Sequence, residues 1–149
     1  YAISFVNSHK DIDKVKQIVG SKKNIISKIE TLNGIKNLKN IAKKSRALLI
    51  DRGDLSRYIN IEKIPYAQEM IIKKTKSLKK PVYIATNLLE NMIEKSQPTR
   101  AESNDIYSSL KQGAKGLVLA AETAIGKNPV DCVIFIKKCI KSFYFKGIW

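Results

Sequence analysis

Short apolar runs are spaced along the chain, and each is followed by a longer stretch with helical periodicity. The runs are five or six residues long and cover positions 2–6, 24–29, 46–50, 81–85 and 116–120. Apolar runs of this length predict buried strands. Because neighbouring parallel strands need crossover helices, the alternation predicts an α/β protein with about five parallel strands.

Several local signals predict where the helices lie. An apolar stripe at i, i+3 and i+4 spacing predicts a helix after the third strand; it consists of Ile61, Ile64, Ala67, Ile71 and Ile72. Thr99 and Glu102 form a capping box that opens a helix to Gln112, and Gly113 stands where that helix should stop. Pro129 suits the first turn of the last helix.

The last helix is broadly apolar, which predicts that it packs against a sheet. Its apolar positions are Val130, Val133, Ile134, Ile136, Ile140 and Phe143. Cys132 and Cys139 share a face of the same helix and are expected to be reduced thiols that fill core space. His9 has no Cys or His near it in sequence, so we interpret it as a surface or capping residue.

Polar residues fall where the predicted strands end. Five parallel strands fit either an open doubly wound sheet or part of an eight-stranded barrel, and both architectures place their sites at the carboxyl ends of strands. The residues at those ends are Lys28 and Glu30, then Arg52, Gly53 and Asp54, then Thr86 and Asn87, and finally Glu122 and Thr123. Lys28 and Glu30 are two apart, so they point to the same face.

This set of residues suits phosphate chemistry. Glu30 and Asp54 can supply part of an oxygen shell for Mg²⁺. Lys28 can stabilise a phosphoryl group in transit, and Gly53 would let backbone N–H groups approach an anion. For each residue taken alone a structural interpretation stays open, in which Lys28 and Glu30 form an ion pair and Asp54 caps a turn.

The net charge of +15 raises the question of a nucleic-acid partner. Nearly all of the positive charge is lysine, whereas nucleic-acid readers favour arginine for bidentate contacts. A lysine-rich run at 73–80 ends a predicted helix, where cations complement the helix dipole. We therefore expect no nucleic-acid partner. No run approaches the ~20 apolar residues that span a bilayer, so we also expect a soluble protein with no membrane partner.

Five segments, in family order, resemble the pyruvate kinase family. Residues 25–30, I-I-S-K-I-E, are similar to the segment with its active-site lysine and a metal-binding glutamate. Residues 51–55, D-R-G-D-L, resemble its A-R-G-D-L segment. Residues 81–92 resemble P-V-I-x-A-T-x-x-L-E-S-M, and 98–102 match P-T-R-A-E. Residues 120–129 resemble S-G-E-T-A-x-G-x-x-P, with alanine at 120 and 121.

This resemblance implies a partial (β/α)8 TIM barrel. Residues 1–149 would form a single segment, the second half of the catalytic barrel, with the lid and the C-terminal regulatory domain absent. It begins at Tyr1, so we expect a fragment or a processed product that is inactive alone and needs the remainder of its own barrel. The implied activity is phosphoryl transfer from phosphoenolpyruvate to ADP, with the full-length enzyme a homotetramer.

The resemblance also implies a role for each site residue. Lys28 and Thr86 would be catalytic, and the substrate would be bound by Lys28, Gly53, Asp54 and Thr86. Glu30 and Asp54 would hold Mg²⁺ or Mn²⁺, while the K⁺ ligands would lie outside this segment. Arg52 and Glu122 would be supporting groups. Ala120 replaces a serine that is placed in the family's proton relay, which puts the proton-transfer step in question.

Two other functions stay open. One is a Mg²⁺-dependent aldolase that acts on pyruvate-like acids, and the other is a non-catalytic phosphoenolpyruvate-binding module. Asn87, where many cytosolic members have glutamine, is closer to the plastid and cyanobacterial branch. This residue favours a plastid (apicoplast-like) stroma, with the cytoplasm as the alternative.

Overall fold

Five parallel strands form one sheet in the computed structural model, which describes residues 1–145. The strands are β1 (Ala2–Ile3), β2 (Ile26–Ile29), β3 (Ala47–Asp51), β4 (Val82–Ala85) and β5 (Gly116–Val118). The predicted α/β alternation is confirmed. Each strand pairs with the next one along the chain, in the order β1-β2-β3-β4-β5. A doubly wound sheet reverses its strand order at a switch point, so this uninterrupted order identifies the arc of a barrel.

Helices occupy every connection between the strands. They are α1 (His9–Val19), α2 (Leu32–Lys36), α3 (Leu38–Lys44), α4 (Arg52–Leu55), α5 (Ile64–Lys76), α6 (Arg100–Gln112), α7 (Ala121–Ala124) and α8 (Pro129–Tyr144). Two 3₁₀ turns, Ile61–Lys63 and Glu90–Ile93, precede α5 and follow β4. Within residues 1–145, no helix is both long and apolar enough to cross a bilayer.

Two strands end earlier than the apolar runs predicted. The first ends at Ile3 rather than at residue 6, because Phe5 has a left-handed φ of 53° and donates its backbone N–H to the Glu30 carboxylate. The fifth ends at Val118 rather than at residue 120, because the Ala120 N–H donates to Glu122 Oε2 at 2.7 Å. In both cases a backbone N–H just beyond the strand donates to a carboxylate rather than to a neighbouring strand.

The predicted helix boundaries are confirmed around α6. Thr99 and Glu102 make both bonds of the capping box, and Gly113 ends the helix with a φ of 112°. Pro129 stands at the first turn of α8. The apolar stripe that predicts α5 is confirmed except at its first position. Ile61 lies in the 3₁₀ turn before α5 and is 79% exposed.

The last helix packs mainly against α6 and α7. Ile136 is buried in the core that the strands share, and Ile140 and Phe143 are partly buried against that core. Val130, Val133 and Ile134 are exposed, so the predicted packing is confirmed for only part of the helix. Cys132 is buried and Cys139 half-buried, and both are free thiols whose pKa is raised by burial.

The two faces of the sheet differ in how well they are covered. Ile29, Ile50 and Ile84 lie in register on one face and are fully buried in the core. Lys28 and Tyr83 lie in one register row on the other face and are only partly buried. Since the helices pack on the first face, the second face would be the interior of a barrel.

Candidate active site at the carboxyl ends of the strands

Lys28 lies at the centre of an ion-pair network at the end of β2. Its Nζ is 2.6 Å from Glu30 Oε1 and 3.0 Å from Asp51 Oδ2. Burial alone would lower the pKa of Lys28, but the ion pairs with Glu30 and Asp51 outweigh that effect and raise it. The lysine is therefore a fixed positive charge at this edge of the sheet.

The ends of β3 and β4 are joined through Thr86. The Gly53 N–H donates to Thr86 Oγ1 at 2.9 Å, and that hydroxyl lies 2.6 Å from the Ala85 carbonyl oxygen and 3.2 Å from Asp51 Oδ1. Asp51 Oδ1 also accepts from the Asp54 N–H at 3.3 Å, which makes Asp51 the N-cap of α4. The N–H groups of Gly53 and Asp54 and the hydroxyl of Thr86 therefore lie close together, next to the Asp51 carboxylate that pairs with Lys28.

Arg52 holds the turn that follows β4. Thr86 and Asn87 both adopt left-handed φ values, 70° and 53°, which cost conformational energy in residues other than glycine. The Arg52 guanidinium donates to the Thr86 carbonyl at 2.7 Å and the Asn87 carbonyl at 3.0 Å, and it pairs with Asp105 at 2.6 Å. Arg52 thus stabilises the strained backbone from which Thr86 projects.

Glu122 is a buried carboxylate that joins the loops after β4 and β5. Its oxygens accept from the N–H groups of Leu88 at 3.1 Å, Leu89 at 2.9 Å and Ala120 at 2.7 Å. Burial raises the pKa of Glu122, but these backbone hydrogen bonds dominate and the net pKa is lowered. The residue stays ionised and fixes the wall of the site.

Three carboxylates converge and could hold a cation. Glu30, Asp51 and Asp54 each present an oxygen, and these oxygens lie within 4.8 Å of one another. Glu30 is fully buried, and within residues 1–145 its Oε1 accepts no regular hydrogen bond, although Lys28 Nζ approaches it. Carboxylate oxygens are the ligands that Mg²⁺ and Mn²⁺ prefer, so the donor set fits such an ion.

A cleft of about 210 Å³ opens beside these groups. Its lining includes Gly53, Thr86, Asn87, Ala120 and Glu122. A Cβ added to Gly53 would lie 3.5 Å from both Thr86 Oγ1 and Asn87 Oδ1, so a side chain at this position would take up part of the cleft. A larger groove of about 530 Å³ lies between α6 and α8, away from the strand ends.

The structure brings together most of the predicted site residues. Contacts link the side chains or backbone of Lys28, Glu30, Arg52, Gly53, Asp54 and Thr86, and Glu122 lies on the same cleft. The structural interpretation is half correct: the Lys28–Glu30 ion pair exists, but the residue that caps the turn is Asp51 rather than Asp54.

Asp51 is the site residue that sequence reasoning missed. It stands where the A-R-G-D-L segment has alanine, and it contacts Lys28, Asp54 and Thr86. An aspartate in place of the segment's alanine was the signal that could have identified it.

Comparison with known proteins gives a consistent result. The family model described as "Pyruvate kinase, barrel domain" matches residues 1–133. The chain is 42% identical to a pyruvate kinase of Thermotoga maritima over 144 residues, covering 95% of this chain and 31% of that protein. It is 41% identical to the chloroplastic pyruvate kinase isozyme G of Nicotiana tabacum over 136 residues, covering 89% and 24%. The pyruvate kinase of Dictyostelium discoideum is 38% identical over 140 residues, covering 92% and 28%.

The chain spans about a third or less of the length of these relatives. Nevertheless, the similarity extends over most of this chain and includes every strand of its sheet. The chain therefore belongs to the pyruvate kinase family, in which it corresponds to part of the barrel domain.

Proposed function

We propose that the protein containing this chain transfers a phosphoryl group from phosphoenolpyruvate to ADP, giving pyruvate and ATP, and that this chain supplies the phosphoenolpyruvate and metal site. One observation carries the proposal: Lys28 and three carboxylates lie together at one edge of the sheet, beside hydrogen-bond donors that could bind an anion. These donors are the N–H groups of Gly53 and Asp54 and the hydroxyl of Thr86. Membership of the pyruvate kinase family supports the same reaction.

The substrate carboxylate would be held by the N–H groups of Gly53 and Asp54 together with the Thr86 hydroxyl. These donors lie beside Lys28 and line the cleft or border it. Lys28 would stabilise the negative charge on the phosphoryl group as it moves, because a preorganised ammonium loses little energy in reorienting. Arg52 and Glu122 would contact no substrate; they would hold the loops that position the binding groups.

Glu30 and Asp54 would hold Mg²⁺ or Mn²⁺, with Asp51 in reach of the same position. Such an ion would act as a Lewis acid and would stabilise the negative charge of the substrate. K⁺, which we also propose for the intact enzyme, would bind outside this segment.

In the reaction, the bond between phosphorus and the enol oxygen breaks and a bond to the terminal phosphate oxygen of ADP forms. The enolate of pyruvate then takes a proton at its methylene carbon. Ala120 has no hydroxyl to deliver that proton, so the donor would be water or the Thr86 hydroxyl, which lies on the same cleft.

We propose that the remainder of the barrel covers the partly exposed sheet face that carries Lys28 and Tyr83. Residues 1–149 would then be the second half of that barrel; residues 146–149 lie outside the described part of the chain. The intact enzyme would be a homotetramer. A plastid location is supported by the relatives named chloroplastic, with the cytoplasm as the alternative.

The test is an assay of the intact protein that couples pyruvate to lactate dehydrogenase, with phosphoenolpyruvate, ADP, Mg²⁺ and K⁺. We expect ADP-dependent pyruvate formation that falls at least a hundredfold, roughly, in Lys28→Ala. Lys44→Ala is the matched control, because Lys44 also forms an ion pair, with Asp13 at 2.8 Å, but lies on α3 away from the strand ends.

Other outcomes would identify the alternatives. Release of pyruvate from a larger acid without ADP would indicate an aldolase. Metal-dependent binding of phosphoenolpyruvate without turnover in the wild type would indicate a binding module and would refute the proposed reaction. We expect the isolated 149-residue chain to be inactive, since the nucleotide contacts would come from the rest of the barrel.

A further inference from the structure

We propose that Asp51 determines ligand specificity at this site, because its carboxylate occupies the donors that would otherwise bind the carboxylate of a ligand. Asp51 would thereby act as an internal competitor that weakens carboxylate binding. The identity of the natural ligand rests on the proposed function, whereas the competition itself rests on the contacts of Asp51.

The contacts of Asp51 are those expected of a bound carboxylate. Oδ2 pairs with Lys28 Nζ at 3.0 Å, and Oδ1 lies 3.3 Å from the Asp54 nitrogen and 3.2 Å from Thr86 Oγ1. These donors come from β2, α4 and the turn after β4. A ligand carboxylate that used the Asp54 N–H and the Thr86 hydroxyl would have to displace Asp51 Oδ1.

The lengths of its two Oδ1 contacts indicate that this oxygen of Asp51 can be displaced, while Oδ2 keeps its ion pair with Lys28. Hydrogen bonds between N–H and oxygen are most often about 2.9–3.0 Å long, so the contact with the Asp54 nitrogen is weak. The hydroxyl of Thr86 is closer to the Ala85 carbonyl than to Asp51. A ligand with better geometry could therefore replace Asp51, at the cost of moving a carboxylate that is only 7% exposed.

The negative charge of Asp51 also weakens the binding of an anionic ligand. The ammonium of Lys28 pairs with the carboxylates of Glu30 and Asp51, and the third carboxylate, Asp54, has only the exposed Arg57 beside it, at 3.6 Å. The carboxylate of Asp51 adds a negative charge beside the place where an anionic ligand would bind, and partial burial strengthens that repulsion. The same charge favours a divalent cation. Asp51 therefore shifts the site towards the metal and away from the anion.

The backbone does not require an acid at this position. Asp51 has φ −92° and ψ 102°, which any residue can adopt, and the A-R-G-D-L segment has alanine there. Both Asp51→Ala and Asp51→Asn are therefore expected to fold. Asn keeps an oxygen that can accept from the Asp54 N–H and removes only the charge, whereas Ala removes both.

The test measures oxalate binding to the intact protein by isothermal titration calorimetry. Oxalate is a small dianion that carries no phosphoryl group. Each variant is first saturated with Mn²⁺, so that a change in metal affinity does not affect the comparison. We expect Asp51→Ala to bind oxalate on the order of tenfold more tightly than the wild type, and Asp51→Asn to show a smaller gain because its amide oxygen still accepts from the Asp54 N–H. Asp13→Asn removes one negative charge from the surface and should leave oxalate affinity unchanged.

An unchanged or weaker oxalate affinity in both Asp51 variants would overturn the proposal, as would an equal gain in Asp13→Asn. The coupled assay separates this result from the proposed function. Tighter oxalate binding without pyruvate kinase turnover would support the competition and reject the reaction. Turnover with unchanged oxalate binding would support the reaction and reject the competition.

Discussion

Glu122 Oε1 lies 2.9 Å from the backbone nitrogen of Leu89, and this hydrogen bond joins α7 to the loop that follows β4. Leu88 and Ala120 donate to the same carboxylate. Because Glu122 is 1% exposed, water cannot replace it as the acceptor for these N–H groups. One side chain therefore holds two of the loops that line the cleft.

Replacement of Glu122 by alanine should destabilise the intact protein by about 3 kcal/mol, because two buried N–H groups and one partly buried N–H group lose a charged acceptor. Glu122→Gln should cost less, since one amide oxygen can still accept. Urea-induced unfolding measures both. Glu94→Ala is the control: Glu94 pairs with Lys127 at 2.6 Å, but both side chains are about two-thirds exposed and the pair should contribute at most about 1 kcal/mol. Equal losses in the two alanine variants would contradict this assignment.

The contribution of Glu122 to stability should depend on pH in a defined direction. Its pKa in the folded protein is lowered from the ordinary value of 4.5, so the folded state favours the ionised form. The stabilisation is therefore fully present above pH 4.5 or so and is lost as pH falls through the lowered folded-state pKa. The free energy of unfolding of the wild type, minus that of Glu122→Gln, should be constant near neutral pH and shrink below about pH 4.5. A difference that grows on acidification would show that the pKa shift has the opposite sign.

Gly53→Ala should weaken ligand binding while leaving the stability of the protein nearly unchanged. The added Cβ would have only ordinary van der Waals contacts, the nearest at 3.5 Å, so the free energy of unfolding should change by less than about 1 kcal/mol. The same methyl group would occupy the cleft beside Thr86, so phosphoenolpyruvate should bind at least tenfold, roughly, more weakly. Calorimetry with phosphoenolpyruvate and Mn²⁺ measures the affinity.

Gly126→Ala is the matched comparison for that glycine. A Cβ at position 126 would lie 2.3 Å from the Glu122 carbonyl oxygen, which is backbone and cannot move aside freely. This variant should therefore lose about 2 kcal/mol or more of stability through overpacking. A stable Gly126→Ala and an unstable Gly53→Ala would contradict the packing of both loops.

Arg52→Lys should impair the site although it preserves the charge. A lysine ammonium cannot reproduce the fork that reaches the Thr86 and Asn87 carbonyls while pairing with Asp105. The left-handed turn would relax and Thr86 would lose its position. We expect kcat/KM in the coupled assay to fall by about tenfold or more, mainly through KM, because Thr86 is proposed to hold the substrate carboxylate. A kcat/KM equal to that of the wild type would show that the turn needs no bidentate support.

The amino-acid sequence by itself determined the local elements of this protein. Apolar runs gave the five strands, and the capping box at Thr99 with Gly113 gave the limits of α6, because these signals depend on neighbours a few residues apart. The rule that parallel sheets gather their polar residues at one edge placed Lys28, Glu30 and Asp54 together. The ordered motifs then indicated the family that the comparisons confirmed.

Only the tertiary structure decided how those elements meet. Strand order separated a barrel arc from a doubly wound sheet, because pairing joins residues that are far apart in sequence. The early end of β1 depends on a bond from Phe5 to Glu30, 25 positions away, which no local pattern reports. Asp51 entered the site for the same reason, since Lys28 approaches it from β2 and Thr86 approaches it from the turn after β4. Local periodicity fixes which residues lie on a face, whereas three-dimensional packing fixes which partners those residues find.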